Sequence, residues 1–332
     1  MYDVLIVGGG PGGASCALSL CRQGLRVLVL EKETIPREKP CGGGVPSIVM
    51  SWLGFDSPDE IGLEIGRMAY TYDGALQEEV PIPARSAYSI VRKEFDAAVL
   101  SSAERAGASI LGNEAVSEIR ETDRDVTVRC RSGKTFSASY AVGADGGGST
   151  VARALRLGGH LKGYVATSAV MELPYPREGG CDSPGKAFLD FGFIRRGYVG
   201  LLPKNSHTSL GVYALGAVSR ASLQAHLIRY AGCLDFPSDS LKGVQCQVRV
   251  IPLYDKHRPL NTGRVLLVGE AGRLVDALSG EGIRHAVRSG MIAGEVLASA
   301  LSQGSSIEVY TERVRREIGE ELLLARRFAA VV

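Results

Sequence analysis

Glycines and one glutamate near the start of the chain have the types and spacing that bind a dinucleotide. Behind the apolar run at 3–7, the pattern G-x-G-x-x-G is formed by Gly8, Gly10 and Gly13, with Gly12 beside them. The first glycine permits a tight turn, the second lets backbone approach a pyrophosphate, and the third packs a helix on the strand. The helix N-terminus then attracts the diphosphate. Glu31, which closes a second apolar run at 27–30, is placed to accept hydrogen bonds from a ribose.

The elements that must position these residues alternate between α/β and β patterns. A helical pattern spans 92–107, and period-2 strand patterns dominate roughly 163–254, apart from a helical stretch near 219–232. A buried strand pattern at 265–270 is followed by a helix that opens at 279–283. Two α/β pieces therefore flank a β-rich middle, and we expect the late strand to return to the sheet of the first strand.

Composition excludes several classes of function. The 332 residues suit about two domains, and a net charge of +2 gives no reason to expect nucleic acid as a partner. Seven cysteines without a C-x-x-C pair favour a reducing compartment over a disulfide framework or structural zinc. No metal is expected, because no metal-ligand spacing joins His160, His207, His226, His257 and His285.

The sequence also bears on location. No apolar run approaches the roughly 20 residues that span a bilayer, and no signal-peptide pattern precedes the first strand. We expect a cytoplasmic protein, and we leave a peripheral membrane contact open.

Several blocks of sequence together resemble one family. They are the glycine turn with Glu31, K-P-C-G-G-G at 39–44, Arg92 with Phe95 and Asp96, G-A-D-G at 143–146, and Gly269-Glu270 followed by S-G-E-G-I at 279–283. Over essentially its whole length the chain resembles the geranylgeranyl reductase family, within the flavoproteins that share the p-hydroxybenzoate hydroxylase fold. The resemblance implies FAD as cofactor and an α/β (α+β) fold, with a Rossmann-like FAD-binding domain and an inserted β-rich substrate domain.

The expected domains are discontinuous. The FAD-binding domain is predicted to comprise 1–60 plus 85–162 plus 255–332, and the β-rich substrate domain to comprise 61–84 plus 163–254.

The resemblance also implies which residues bind FAD. The small residues Cys41, Gly42 and Gly44 border the isoalloxazine, with the cysteine facing the substrate cavity. Arg92 reaches the FAD, and main-chain groups at Val116 hold the adenine.

Further along the chain, the family normally has an aspartate near the ribitol or pyrophosphate where this chain has Glu270. The extra methylene leaves hydrogen bonding open but shifts the carboxylate. Gly282 and Ile283 begin a helix, where N–H groups stabilise negative charge on the reduced flavin.

Cys41 is the candidate catalytic residue, and two roles are open to it. It could donate a proton to the substrate, or it could be a polarizable packing group beside the flavin. Apart from Lys39, the sequence shows no adjacent basic residue dedicated to tuning the thiol, and this favours packing and positioning.

The resemblance favours reduction of carbon–carbon double bonds in a hydrophobic prenyl or lipid substrate. A flavin monooxygenase acting on an aromatic compound is the alternative, although the single tryptophan, Trp52, excludes the halogenase signature W-x-W-x-I-P. The chain has Gly200 where the reductases typically have a tryptophan, so a catalytically degenerate FAD-binding protein is a third reading. No second dinucleotide fingerprint follows, which leaves NAD(P)H bound transiently, ferredoxin or a quinol as electron donor.

Overall fold

The structure is a computed structural model that describes residues 2–56, 58–73, 76–157, 165–175, 185–234, 236, 241 and 243–330. His160 and the predicted domain boundary at 162–163 lie outside the described residues.

The dinucleotide-type beginning of the chain builds one seven-stranded sheet. Its strands are β1 (Tyr2–Val7), β2 (Val27–Leu30), β8 (Ser109–Leu111), β9 (Val116–Glu121), β10 (Val126–Cys130), β11 (Thr135–Gly143) and β17 (Val265–Leu267). The order is β8-β2-β1-β11-β10-β9, with β17 paired to the end of β11. β1 is parallel to both β2 and β11, and β17 is parallel to β11. The expected return of the late strand to the first sheet is confirmed.

The β-rich middle of the chain builds a second seven-stranded sheet. Its strands are β5 (Arg67–Tyr72), β6 (Leu76–Pro81), β12 (Val165–Leu173), β13 (Lys186–Phe191), β14 (Gly197–Pro203), β15 (Thr208–Leu215) and β16 (Gln247–Pro252). They run in the order β16-β12-β15-β14-β13-β5-β6. The predicted interrupting helix is α5 (Arg220–Cys233), whose Leu223 and Leu227 pack with Val199 and Leu201 of β14. Because side chains alternate along a strand, Tyr198, Gly200 and Leu202 face the opposite way.

The chain between β2 and β8 contributes a small antiparallel sheet. It is formed by β3 (Gly44–Pro46), β4 (Gly62–Glu64) and β7 (Ala87–Ile90), in the order β3-β7-β4. These sheets support the mixed α/β fold class, while the exact domain division stays a prediction.

The described part of the chain contains seven further α-helices. They are α1 (Pro11–Cys21), α2 (Ile48–Leu53), α3 (Arg92–Arg105), α4 (Thr150–Ala154), α6 (Ile283–Gln303), α7 (Val309–Val314) and α8 (Glu320–Ala329). Among the described residues, no helix has both the length and the apolar character needed to cross a membrane.

Helices α1 and α6 touch backbone to backbone. A Cβ on Gly290 of α6 would lie 2.3 Å from the Gly12 carbonyl oxygen, so only glycine fits there. Ser15 Oγ of α1 donates to the Val287 carbonyl at 3.2 Å. The N-termini of these two helices are therefore held at a fixed separation.

Candidate functional site

One cavity of about 630 Å³ opens where the first sheet ends. It is lined by the carboxyl ends of β1, β2 and β17, the N-termini of α1 and α6, and the loop at 37–41. The predicted residues that line it are Gly8, Gly10, Gly12, Glu31, Cys41, Arg92, Val116, Glu270, Gly282 and Ile283. Gly13, Gly42 and Gly44 are not among the lining residues. The topology thus gathers groups from across 280 positions of sequence at one sheet edge, as parallel α/β folds do.

The three fingerprint glycines are required for different reasons. Gly8 has φ +108°, and a Cβ there would lie 2.4 Å from the Ala144 carbonyl oxygen. A Cβ on Gly13 would lie 2.0 Å from the Gly8 carbonyl oxygen. At Gly10, by contrast, the only neighbour of an added Cβ within 4 Å among the described residues is the end of the Arg37 side chain, at 3.3 Å. The protein's own packing therefore explains Gly8 and Gly13, whereas Gly10 leaves open the approach that a pyrophosphate needs.

Glu31 is held rigidly against the glycine turn. Its Oε2 accepts a hydrogen bond from the Gly9 N–H at 2.7 Å, and its Oε1 accepts one from the Glu33 N–H at 3.1 Å. The residue is 3% exposed. A carboxylate fixed in this way has lone pairs left for ribose hydroxyls.

Arg37 is a largely enclosed cation in this cavity that sequence reasoning missed; its side chain is 9% exposed. Its Nη1 lies 3.2 Å from the Asp96 carboxylate, and its Nε lies 3.5 Å from that of Glu31. Among the described residues, Nη1 has no partner in hydrogen-bonding geometry. An unsatisfied buried donor costs stability unless a ligand completes it. The position beside Gly10 fits an anionic pyrophosphate, so the residues present fit FAD.

The Arg92 side chain is held in place by the carboxylate of Asp96 on the same helix. Its Nε and Nη2 each donate to the Asp96 carboxylate at 2.8 Å. Burial lowers the pKa of Arg92, but the Asp96 carboxylate and the neighbouring Cys41 side chain raise it by more, so the guanidinium stays charged. Arg92 is therefore a second basic group beside the Cys41 thiol, in addition to Lys39.

The variant Arg92→Met is expected to lower the free energy of unfolding by about 3 kcal/mol, because it removes two hydrogen bonds to the buried Asp96 carboxylate and leaves it the less direct ion pair with Arg37. The double variant Arg92→Met/Asp96→Asn should recover much of that loss. Lys93→Met removes an exposed partner of Glu38 and should cost under about 1 kcal/mol. Urea unfolding of the three proteins measures this. Equal losses for the single and double variants would contradict the buried-pair explanation.

The loop at 41–44 lies between two sheets. Cys41 is partly exposed in the cavity wall. A Cβ on Gly42 or Gly44 would contact the Leu202 side chain of β14, at 3.4 and 3.2 Å. These two glycines therefore let the loop approach the second sheet, and their contact with FAD stays a prediction.

Glu270 has a partner on the second sheet. Arg249 of β16 donates through Nη2 to both of its carboxylate oxygens and through Nη1 to the Pro40 carbonyl. Lys39 Nζ lies 3.8 Å from the same carboxylate, and burial lowers the pKa of Lys39 to about 8. Glu270 is one methylene longer than the aspartate expected from the resemblance, and its carboxylate forms an ion pair that links the two sheets. Sequence reasoning missed Arg249, since nothing near residue 249 marks it.

Val116 and the start of α6, for which the resemblance implies contacts with the adenine and the flavin, both belong to the cavity lining. Val116 lines the cavity beside Arg131. Gly282 and Ile283 lie at the N-terminus of the 21-residue α6, whose free N–H groups carry partial positive charge. The positions suit the expected roles, which stay predictions.

A histidine and two carboxylates do come together near α6, contrary to the scattered pattern in the sequence. Asp276, His285 and Glu321 offer ligand atoms within 4.8 Å of one another. However, both Glu321 oxygens accept hydrogen bonds from the guanidinium of Arg284. That cation already neutralises the carboxylate a metal would need.

Comparisons with known proteins agree with this geometry. Residues 1–175 match the family described as FAD binding domain. The chain is 30% identical to the digeranylgeranylglycerophospholipid reductase of Methanothrix thermoacetophila, over 96% of this chain and 84% of that protein. It is 28% identical to the menaquinone reductase of Mycobacterium tuberculosis, over 90% and 76%.

Among solved structures, a geranylgeranyl bacteriochlorophyll reductase-like protein of Thermoplasma acidophilum superposes with a TM-score of 0.86. It is 21% identical, and the match covers 99% of this chain and 87% of that one. At this identity the likeness shows a shared fold.

Proposed function

The chain belongs to the FAD binding domain family and, within it, to the geranylgeranyl reductases, and from that membership we propose that it reduces carbon–carbon double bonds of an isoprenoid lipid. FAD is its cofactor, and the protein is an FAD-dependent oxidoreductase. The observation that carries the substrate class is the apolar face of the second sheet, which meets the Cys41 loop at Leu202.

That face of the second sheet presents an apolar surface beside the Cys41 loop. Gly200 and Gly211 are direct partners on β14 and β15, so two adjacent strands lack side chains at the same level. On one side of this pair Tyr198 stacks on Tyr213, with ring centroids 5.5 Å apart. On the other side lies Leu202. Aromatic and aliphatic side chains of this kind suit contact with a prenyl chain.

The proposed chemistry divides between cofactor and protein. FAD, when bound and reduced, supplies the hydride for one carbon of the double bond. Cys41 supplies the proton for the other carbon, and the neighbouring Arg92 guanidinium compensates the negative charge left on sulfur. The Tyr198 hydroxyl donates to the Ser279 carbonyl, which fixes the aromatic wall against the turn before α6.

The protein is expected to be yellow, and after anaerobic photoreduction it should be reoxidised by a digeranylgeranyl phospholipid or by menaquinone. Each reduced double bond adds two hydrogens, so mass spectrometry of the lipid identifies the product while flavin absorbance follows the reaction. An unmodified lipid, with rapid reoxidation by oxygen only when an aromatic compound is present, would favour the monooxygenase. Reoxidation by none of these would favour the degenerate protein.

The electron donor and the location belong to the same proposal. NAD(P)H, ferredoxin or a quinol would supply electrons. We retain a cytoplasmic protein with peripheral membrane contact, which the exposed Leu324 and Phe328 beside Arg327 on α8 support.

A further inference from the structure

Lys204 is a buried cation that the proposed chemistry does not use. It follows β14 directly and is 2% exposed. Its side chain extends away from the second sheet. The Nζ atom donates to the Gly42 carbonyl and, at 2.7 Å, to Ser89 Oγ. Since Ser89 lies on β7, one ammonium group joins three segments that are distant in sequence.

The loop fits tightly around this ammonium group. Gly43 has φ +82°, and a Cβ there would lie 2.7 Å from Lys204 Nζ and 2.2 Å from the Ile90 carbonyl oxygen. The Ile90 N–H in turn donates to the Gly43 carbonyl at 2.8 Å. The backbone on either side of Gly43 is therefore fixed from two directions, by β7 and by Lys204.

Burial and the neighbouring side chains shift the pKa of Lys204 in opposite directions. Burial lowers its pKa to about 8, while Cys41 and Glu172 of β12 oppose the change. His207 lies 3.2 Å from the same Glu172 carboxylate. Tyr175 donates its hydroxyl proton to the Lys204 carbonyl and does not compete for Nζ. The ammonium group can therefore lose its proton within a range accessible to experiment.

We propose that Lys204 is the positioning residue of the Cys41 loop: its ammonium group fixes the Gly42 carbonyl and thereby keeps the adjacent thiol in the cavity wall beside Arg92. The use made of Cys41 rests on the proposed function. The contacts of Lys204 with the loop do not.

The test is amide hydrogen exchange of the FAD-loaded protein without substrate. In Lys204→Met, which keeps the apolar stem, exchange of the amides at 42–44 and of Ile90 should be about tenfold faster or more at pH 7, the effect of losing a hydrogen bond to a charged group. Ser89→Ala removes one acceptor and should give a smaller acceleration. Lys186→Met, on the neighbouring strand β13, should leave the loop unchanged.

A second readout is pH dependence. In the wild-type protein, exchange of the loop corrected for the intrinsic rate should rise between pH 7 and 9, as Lys204 loses its proton, and this step should be absent in Lys204→Met. Unchanged loop exchange in both Lys204→Met and Ser89→Ala, or the same pH step without Lys204, would overturn the proposal. If Lys204→Met does not fold, Ser89→Ala decides by itself. Neither readout involves a lipid, so a failed reductase assay leaves this result standing.

Discussion

The variant Gly10→Val is expected to purify colourless, with FAD occupancy below about a tenth of that of the wild-type protein, because its side chain would occupy the approach to the pyrophosphate. In the part of the chain that the structure describes, the first added carbon meets only the end of Arg37, at 3.3 Å. The fold should therefore survive, and the loss should fall on the cofactor. Absorbance at 450 nm, the thermal midpoint and FAD titration measure occupancy, stability and affinity separately.

Gly66→Val is the matched control for this variant. No atom of the residues described in the structure lies within 4 Å of a Cβ added at Gly66, and Gly66 does not line the cavity. It should retain its flavin. A Gly10→Val protein that keeps full occupancy would contradict the assignment of the glycine turn to the pyrophosphate. Gly8 and Gly13 are unsuitable for the test, because substitutions there collide with backbone.

Reduction of an isoprenoid double bond by Cys41→Ser is expected to be slower by about 100-fold or more, since general acid catalysis contributes about 10² to 10⁴. Serine keeps nearly the same shape but is a much weaker acid. FAD occupancy should be unchanged. The measurement is the rate of flavin reoxidation by a prenyl lipid in a rapid-reaction experiment, with the lipid product identified by mass.

A loss of tenfold or less would instead assign Cys41 a packing role. Cys233→Ser, which alters an exposed cysteine at the end of α5, controls for unspecific effects of thiol removal. If both variants lose activity equally, the proton-donor assignment fails. Cys41→Ser that also loses its flavin would mean that the loop contributes to binding rather than to proton transfer.

The local part of the site was predictable because its residues are neighbours in sequence. Short sequence patterns predict the glycine turn, the acid at the end of β2 and the start of α6. They can do so because each pattern specifies a particular local backbone geometry. The G-A-D-G block follows the same rule, since β11 runs from Thr135 to Gly143 and ends where that block begins. No turn residue interrupts β11 before Gly143.

The cationic part of the site was not predictable. Arg37, Arg249 and Lys204 act through long side chains whose partners lie on other elements, up to 209 positions away in the case of Arg249 and Pro40. No periodicity marks such a residue, and a surface lysine or arginine looks the same in sequence. Only the packing of the two large sheets against the loop at 37–44 brings these charges together.

The backbone contact between α1 and α6 has a consequence for the order in which the protein is made. Helix α1 is synthesised before its partner at Gly290, which is added some 280 residues later. At roughly 5–20 residues per second, this delay lasts tens of seconds on the ribosome. During that time the first half of the site lacks both β17 and α6. The complete lining of the cavity can therefore form only after α6 has been synthesised.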